Sequence, residues 1–248
     1  MAERKYRHPP IVEVICEFRF KPSTPWDLIV PGLIYEKVKK VFPHRRPLKQ
    51  IGTQFQLSPG EVAFQLLAEE GIRFLRDDER AFIQLRPRRI SIHHLAPYPH
   101  WEGFKPLIAQ GYHAYMDALP EAELQRIGLR YINRIQLSPY QLGAIREYFT
   151  IHPELGPGLS WEPTSFGVFL FFPFEGGKDG LHLRLEKEPS STPETANVIL
   201  DLDYFTVQRE KSTWAKALEW VEQAHQHILQ VFEGTITDRL REQLDREG

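Results

Sequence analysis

From Ile11 to Phe20 the chain alternates. Val12, Val14, Cys16, Phe18 and Phe20 are apolar, and Glu13, Glu17 and Arg19 stand between them. A period of two sends successive side chains to opposite faces of an extended strand, so this stretch asks for a sheet with one dry face and one wet face. The same pattern returns from about Gln125. There Ile127, Leu129, Tyr131, Asn133, Ile135 and Leu137 alternate with Arg126, Gly128, Arg130, Ile132, Arg134 and Gln136. Two such strands, far apart in sequence, exclude an all-helical fold and predict an α+β chain built on antiparallel strands.

The segments after each strand run in one order. After the first, helical spacing extends from Pro31 to about Val41 through Ile34 and Val38, with Pro31 suited to the first turn. Short alternating stretches follow at 53–57, 62–68, 72–77 and 82–95. Ser58-Pro59-Gly60 and Asp77-Asp78-Glu79-Arg80 supply turns, and Pro87 divides the last stretch into two. A longer helix then carries Trp101, Phe104, Ile108, Tyr112, Tyr115 and Leu119 on one stripe. After the second strand, a helix is expected at about 140–149 (Leu142, Ile145, Phe149). Strands are expected at 166–172, 181–187 and 197–207, with a hairpin tip at Glu175-Gly176-Gly177-Lys178-Asp179-Gly180. The final helix, capped near Ser212, carries Trp214, Leu218, Val221, His225, Ile228 and Phe232. Gly234 ends it, and Thr235 opens a tail helix bearing Ile236, Leu240 and Leu244.

Each half therefore reads strand, helix, several antiparallel strands, long helix. This order resembles the helix-grip architecture shared by the TATA-binding protein and plant pathogenesis-related folds, which occurs twice in the former. The resemblance implies two pseudo-repeats, 1–122 and 123–248, the second with the tail helix. They would form one continuous antiparallel sheet with helices on one face and the two leading strands side by side. Residue identity between the halves is negligible, so the repeat rests on element order alone; the alternative is one α+β domain without such symmetry.

Composition narrows the setting. Of 248 residues, 42% are hydrophobic and 26% charged, enough for a sizeable core and too apolar for a disordered chain. The net charge of −2 divides into +4 over residues 1–122 and −6 over 123–248, a polarity too weak to demand nucleic acid. The start has basic residues but no apolar segment behind them. The most continuous apolar run, Gly167 to Phe174, falls far short of the ~20 residues that span a bilayer. The single Cys16 sits on the apolar face of its strand, where a small buried hydrophobe is expected rather than a reactive thiol. A cytoplasmic protein without a membrane partner is expected.

Two polar sets are candidates for a binding face. Arg126, Arg130 and Arg134 share one side of the second leading strand, at a spacing that suits an anion site. Cross-strand pairing with the carboxylates of the first, Glu13 and Glu17, is the competing reading, each pair stabilising by ~0.2–1 kcal/mol. The other set, Gln54, Gln56, Gln65, Arg73, Gln84 and Arg86, followed by Arg88 and Arg89, recurs on strands that such residues do not favour, so that side is wet. It is either a solvated sheet face or a platform for a partner. Single-stranded nucleic acid needs exposed rings besides charge. The second half offers Phe169 and Phe171, but beside Glu186, Asp201 and Asp203, which repel phosphate.

Asp201-Leu202-Asp203 puts two carboxylates on one strand face, a weak candidate metal or acid/base pair, with His182, Arg184 and Glu186 expected alongside. The competing reading is that Arg184 satisfies both aspartates. No histidine spacing suits a metal: His93 and His94 point apart on a strand, and His225 and His227 are ~200° apart on a helix. His225 falls on the apolar stripe and reads as a satisfied core residue. Phosphate-binding glycine loops and serine or zinc hydrolase motifs are all missing, which weakens an enzyme reading without excluding it. No cofactor is expected.

Pro9-Pro10-Ile11-Val12-Glu13, with Leu129-Arg130-Tyr131-Ile132-Asn133-Arg134-Ile135 in mid-chain and His225 followed by Phe232-Glu233-Gly234-Thr235-Ile236-Thr237, resembles a sporadically distributed bacterial family of unknown function and similar length. The resemblance supplies no activity, cofactor or catalytic residue. Its scattered distribution implies accessory systems such as phage defence or toxin–antitoxin pairs. The expectation is a cytoplasmic, non-enzymatic binding or regulatory module whose partner is a protein, or a second copy meeting the tail helix. A nucleic-acid-binding sheet face and a metal-dependent enzyme using Asp201 and Asp203 are the alternatives.

Overall fold

A computed structural model describes residues 4–58, 61–137, 144–154, 156, 158, 165–188, 196–207 and 216–246, with residues 49–58 and 61–70 described by backbone alone. The chain is α+β. Its nine strands are β1 (Ile11–Phe20), β2 (His44–Ser58), β3 (Glu61–Leu75), β4 (Ala81–Arg86), β5 (Arg89–Leu95), β6 (Leu124–Leu137), β7 (Gly167–Phe174), β8 (Asp179–Lys187) and β9 (Ala196–Thr206). The helices are α1 (Val30–Val38), α2 (His100–Ala118), α3 (Ile145–Tyr148), α4 (Ala217–Thr235) and α5 (Asp238–Asp245). The strands are ordered β2-β3-β4-β5-β1-β6-β9-β8-β7 in one sheet, antiparallel wherever a register is defined. Among the described residues no helix is long and apolar enough to cross a membrane.

The two-repeat architecture expected from element order is corrected. The sheet is single, and the elements around it do not match as two strand–helix–strands–long-helix copies. α1 has nine residues, but the described helix after β6 is a four-residue turn. That turn is tied to the chain's end, because Thr237 N–H donates to the Tyr148 carbonyl (3.0 Å) and Phe149 bridges to Ile236. Among the described residues four strands follow α1 where three follow α3, and the second half closes with two helices rather than one. The expected cap at Ser212 and the stripe residues Leu142 and Trp214 lie outside the described residues.

Two compact units divide the chain: Met1–Ile15 with Leu95–Pro99 and Arg126–Gly248, and Cys16–His94 with His100–Gln125. In the second of these, α2 buries Trp101, Phe104, Ile108 and Tyr115, and β4 and β5 bury Ile83, Leu85, Ile90 and Ile92. Gly111 lets the helix approach, since a Cβ there would stand 2.8 Å from Ile92 Cγ1. The Phe20 and Tyr115 rings stack at 4.0 Å. Cys16 is fully buried, and burial pushes its thiol pKa up, as befits a small core hydrophobe.

In the other unit, β6, β9 and β8 turn Leu129, Tyr131, Leu200, Leu202, Tyr204, Leu181, Leu183 and Leu185 to the dry side. α4 covers that side with Trp220, Val221, Ala224, His225, Ile228 and Phe232. Two polar devices anchor it. Asp179, 1% exposed, accepts from Trp220 Nε1 (3.1 Å) and from the Tyr204 hydroxyl (3.1 Å). His225 Nδ1 lies 2.9 Å from the Tyr131 hydroxyl, which in turn meets the Tyr98 hydroxyl at 3.0 Å. The core-histidine reading of His225 therefore agrees with its surroundings. The tail stripe Ile236, Leu240 and Leu244 is buried in this same unit. Tyr6 lies beside it, donating to Glu233 at 2.6 Å.

Candidate binding face

With the dry side of β6, β9, β8 and β7 committed to α4, the alternate residues define the opposite, wet side. Register assembles them in rows. Phe171 stands opposite His182, His182 opposite Asp203, and Asp203 opposite Arg130. In the next row Phe169 stands opposite Arg184, Arg184 opposite Asp201 and Asp201 opposite Ile132. A concavity of about 490 Å³ lies over these rows, lined by Arg130, Phe169, Phe171, His182, Arg184, Asp201 and Asp203 among others.

Charges on this face are arranged in pairs. Arg130 grips Asp201 with both prongs, Nε to Oδ1 at 2.7 Å and Nη2 to Oδ2 at 2.5 Å. The Asp201 side chain is only 10% exposed, so removing Arg130 would strand a charge with little water to replace it. Arg134 pairs with Glu188 at 2.6 Å, and Arg184 pairs with Glu186, two residues along its own strand, at 2.5 Å. Asp203 is the weak member. Among the described residues Arg126 donates to it at a long 3.5 Å. Burial raises its carboxyl pKa, opposed by Arg126 and Arg130.

Aromatic rings cover the rest. Phe169 is 66% exposed and Phe171 52%. Arg184 lies over Phe169 at 5.5 Å, and Arg126 over Phe205 at 4.5 Å. His182 fits between Phe171 (5.4 Å) and Phe205 (4.9 Å). Gly180 lets the Phe171 ring lie down on the sheet, because a Cβ there would stand 2.7 Å from Phe171 Cζ. Gly128 does the same for the Arg126 guanidinium, at 2.9 Å.

The sequence-derived candidates divide between the two units. Arg126, Arg130 and Arg134 share this face with Asp201 and Asp203, and their hydrogen-bonding carboxylates come from β9 and the residue after β8. The expected partner of the aspartates, Arg184, serves Glu186 instead. The other set belongs to the second unit. Arg73 donates to Gln84 (3.2 Å) and lies 4.2 Å over the Phe82 ring. Arg86 is only 5% exposed, Arg88 reaches the Thr24 carbonyl at 3.4 Å from a left-handed turn position, and Arg89 approaches Glu17 at 3.9 Å. Gln54 pairs with Gln65 and Gln56 with Ala63 in the backbone register, and their side chains lie outside the described residues.

Three features of the face were not singled out from sequence: Phe205, Gly180 and Gly128. Each could be found only once the register was known, because their meaning is what lies across from them. Among the described residues no group of three or more His, Cys, Asp or Glu is placed to hold a metal ion. No protein-family model matches the chain, and no curated protein matches it in sequence.

Proposed function

We propose that the chain is a non-enzymatic binding module that holds a partner protein against the wet face of β6, β9, β8 and β7. The observation that carries this reading is the exposure of Phe169 and Phe171, 66% and 52%, over a concavity whose arginines, Arg130 and Arg184, are already paired with carboxylates. Exposed rings beside paired arginines let an interface gain apolar area without stripping water from naked cations. The fitting partner brings an apolar side chain to the two rings and a hydrogen-bond donor to the under-satisfied Asp203.

Nucleic acid has less behind it. Arg126, Arg130, Arg134 and Arg184 each face a carboxylate, so phosphate would have to displace an existing partner. A metal-dependent reaction at Asp201 and Asp203 meets a similar obstacle, since Arg130 occupies both oxygens of Asp201. The proposed setting is the cytoplasm, in an accessory system of the kind the family resemblance implies; the buried, unpaired Cys16 suits a reducing compartment.

The test is affinity purification from the source cells with the wild type and with the double variant Phe169→Ser/Phe171→Ser. A specific protein recovered by the wild type should be lost with the variant, which should still fold because both rings are more than half exposed. Equal recovery by both, or no specific recovery by either, rejects the reading.

A further inference from the structure

The two ends of the strand order are unlike. β2 opens with His44, Arg45, Arg46 and Pro47, all exposed, and β7 is Gly-Val-Phe-Leu-Phe-Phe-Pro-Phe with no charged residue. Charged side chains and proline are the usual means by which proteins stop an edge strand from pairing with another chain. β2 carries both at its start. β7 has only Pro173, one residue from its end, and it exposes apolar side chains on both faces: Phe169 and Phe171 on one, Leu170 (37% exposed) on the other. Among the described residues the outer backbone groups of this strand have no neighbour in the sheet, so it offers hydrogen bonds along its length and apolar contact above and below.

We infer that β7 is an association edge through which two copies of the chain pair antiparallel and join their sheets. A second copy fits this edge by charge. β7 meeting β7 opposes no like charges, and one strand inward Arg184 is already neutralised by Glu186. It also fits by pattern. A twofold axis perpendicular to the sheet keeps each face continuous, so the phenylalanine side of one strand extends the phenylalanine side of the other. Aromatic cross-strand pairs then form between copies, one of the kinds of pair that stabilise a sheet. The tail helix is not available for this role, since its apolar stripe is buried within its own unit. The pairing uses the backbone edge and holds whether or not the wet face takes a further partner.

The test combines sedimentation with cysteine scanning. Wild-type protein should sediment as a dimer, and Leu170→Lys and Phe172→Pro should each sediment as a monomer. Single cysteines placed in turn at Val168, Phe169, Leu170, Phe171 and Phe172 should cross-link between copies with one sharp maximum. Only the residue on the twofold axis faces its own copy, and the native Cys16 is too buried to interfere. If an edge variant fails to fold, the cross-linking profile decides on its own. A wild-type monomer up to the solubility limit overturns the inference, and so does a dimer with a flat cross-linking profile. A monomer whose partner is lost on Phe169→Ser/Phe171→Ser would refute self-pairing while leaving the binding-module reading in place.

Discussion

At the scale of single residues, the wet face is a balance between two aspartates in different circumstances. Asp201 is clasped from both oxygens by Arg130, and the side-chain hydrogen bond and nearby carboxylates raise the guanidinium's pKa further. Asp203 is mostly buried with one long contact, and its carboxyl pKa is raised from the ordinary 3.8. A raised acid pKa means that the folded chain holds that proton more tightly than the unfolded chain. The ionised form therefore weakens the fold, a cost absent below 3.8 and complete once the pH has passed the folded value. Asp203→Asn, which mimics the neutral acid, should be more stable than wild type near neutrality. That advantage should shrink as the pH falls through the carboxylate range. Denaturant melts of both proteins at several pH values check this, and a pH-independent difference would contradict it. The pairing also shows what sequence can reveal at this scale. Three arginines on one face of β6 and two aspartates on one face of β9 follow from alternation, but which arginine meets which aspartate depends on register. Register placed Arg184 opposite Asp201, yet the side chain turned along its own strand to Glu186.

At the scale of elements, alternation and helical spacing made most strands and both long helices legible, because each buries a continuous stripe. Pro87 separates β4 from β5 as its missing N–H requires, with Arg88 completing a two-residue turn between Arg86 and Arg89. The lengths of β2 and β3 were not legible. They pair over fifteen residues each, and the pairing carries them through polar stretches that break the alternation. The helix expected at about 140–149 lies partly outside the described residues. Ile145 and Phe149 have the right spacing, but the segment's described part is a single turn whose carbonyls at Glu147 and Tyr148 accept from Thr237. The start of α5 therefore does locally what a longer helix would have done for itself. Deleting residues 235–248 should destabilise by several kcal/mol, since burying each of Ile236, Leu240 and Leu244 contributes ~1.5–3 kcal/mol at most. The truncation should leave the number of copies per particle in solution unchanged. Thermal melts and sedimentation together check this, and a drop in that number would place the tail at an interface.

At the scale of the whole molecule, the strand order fixes what neither half could show alone. Element order suggested a duplication, and the single sheet with unequal helices replaces it. Because β1 neighbours β6, the strands left at the ends of the order are β2 and β7, one basic and one apolar. Association through β7 would be linked to folding, and ligation of the folded form stabilises by about 2.7 kcal/mol when the ligand is 100-fold above its dissociation constant. The thermal midpoint of the wild type should therefore climb with protein concentration, while that of Leu170→Lys should not; parallel behaviour of the two in calorimetry would argue against the link. The asymmetry of the ends has a further consequence. A chain with two sticky margins polymerises, but one with a single sticky margin uses it up at the first encounter and leaves a third copy no second edge to pair with. On that inference Pro47, which has no N–H to offer, and the exposed Arg45 and Arg46 at the head of β2 would keep assembly finite, and mutating them to neutral strand formers should turn a pair into a growing ribbon.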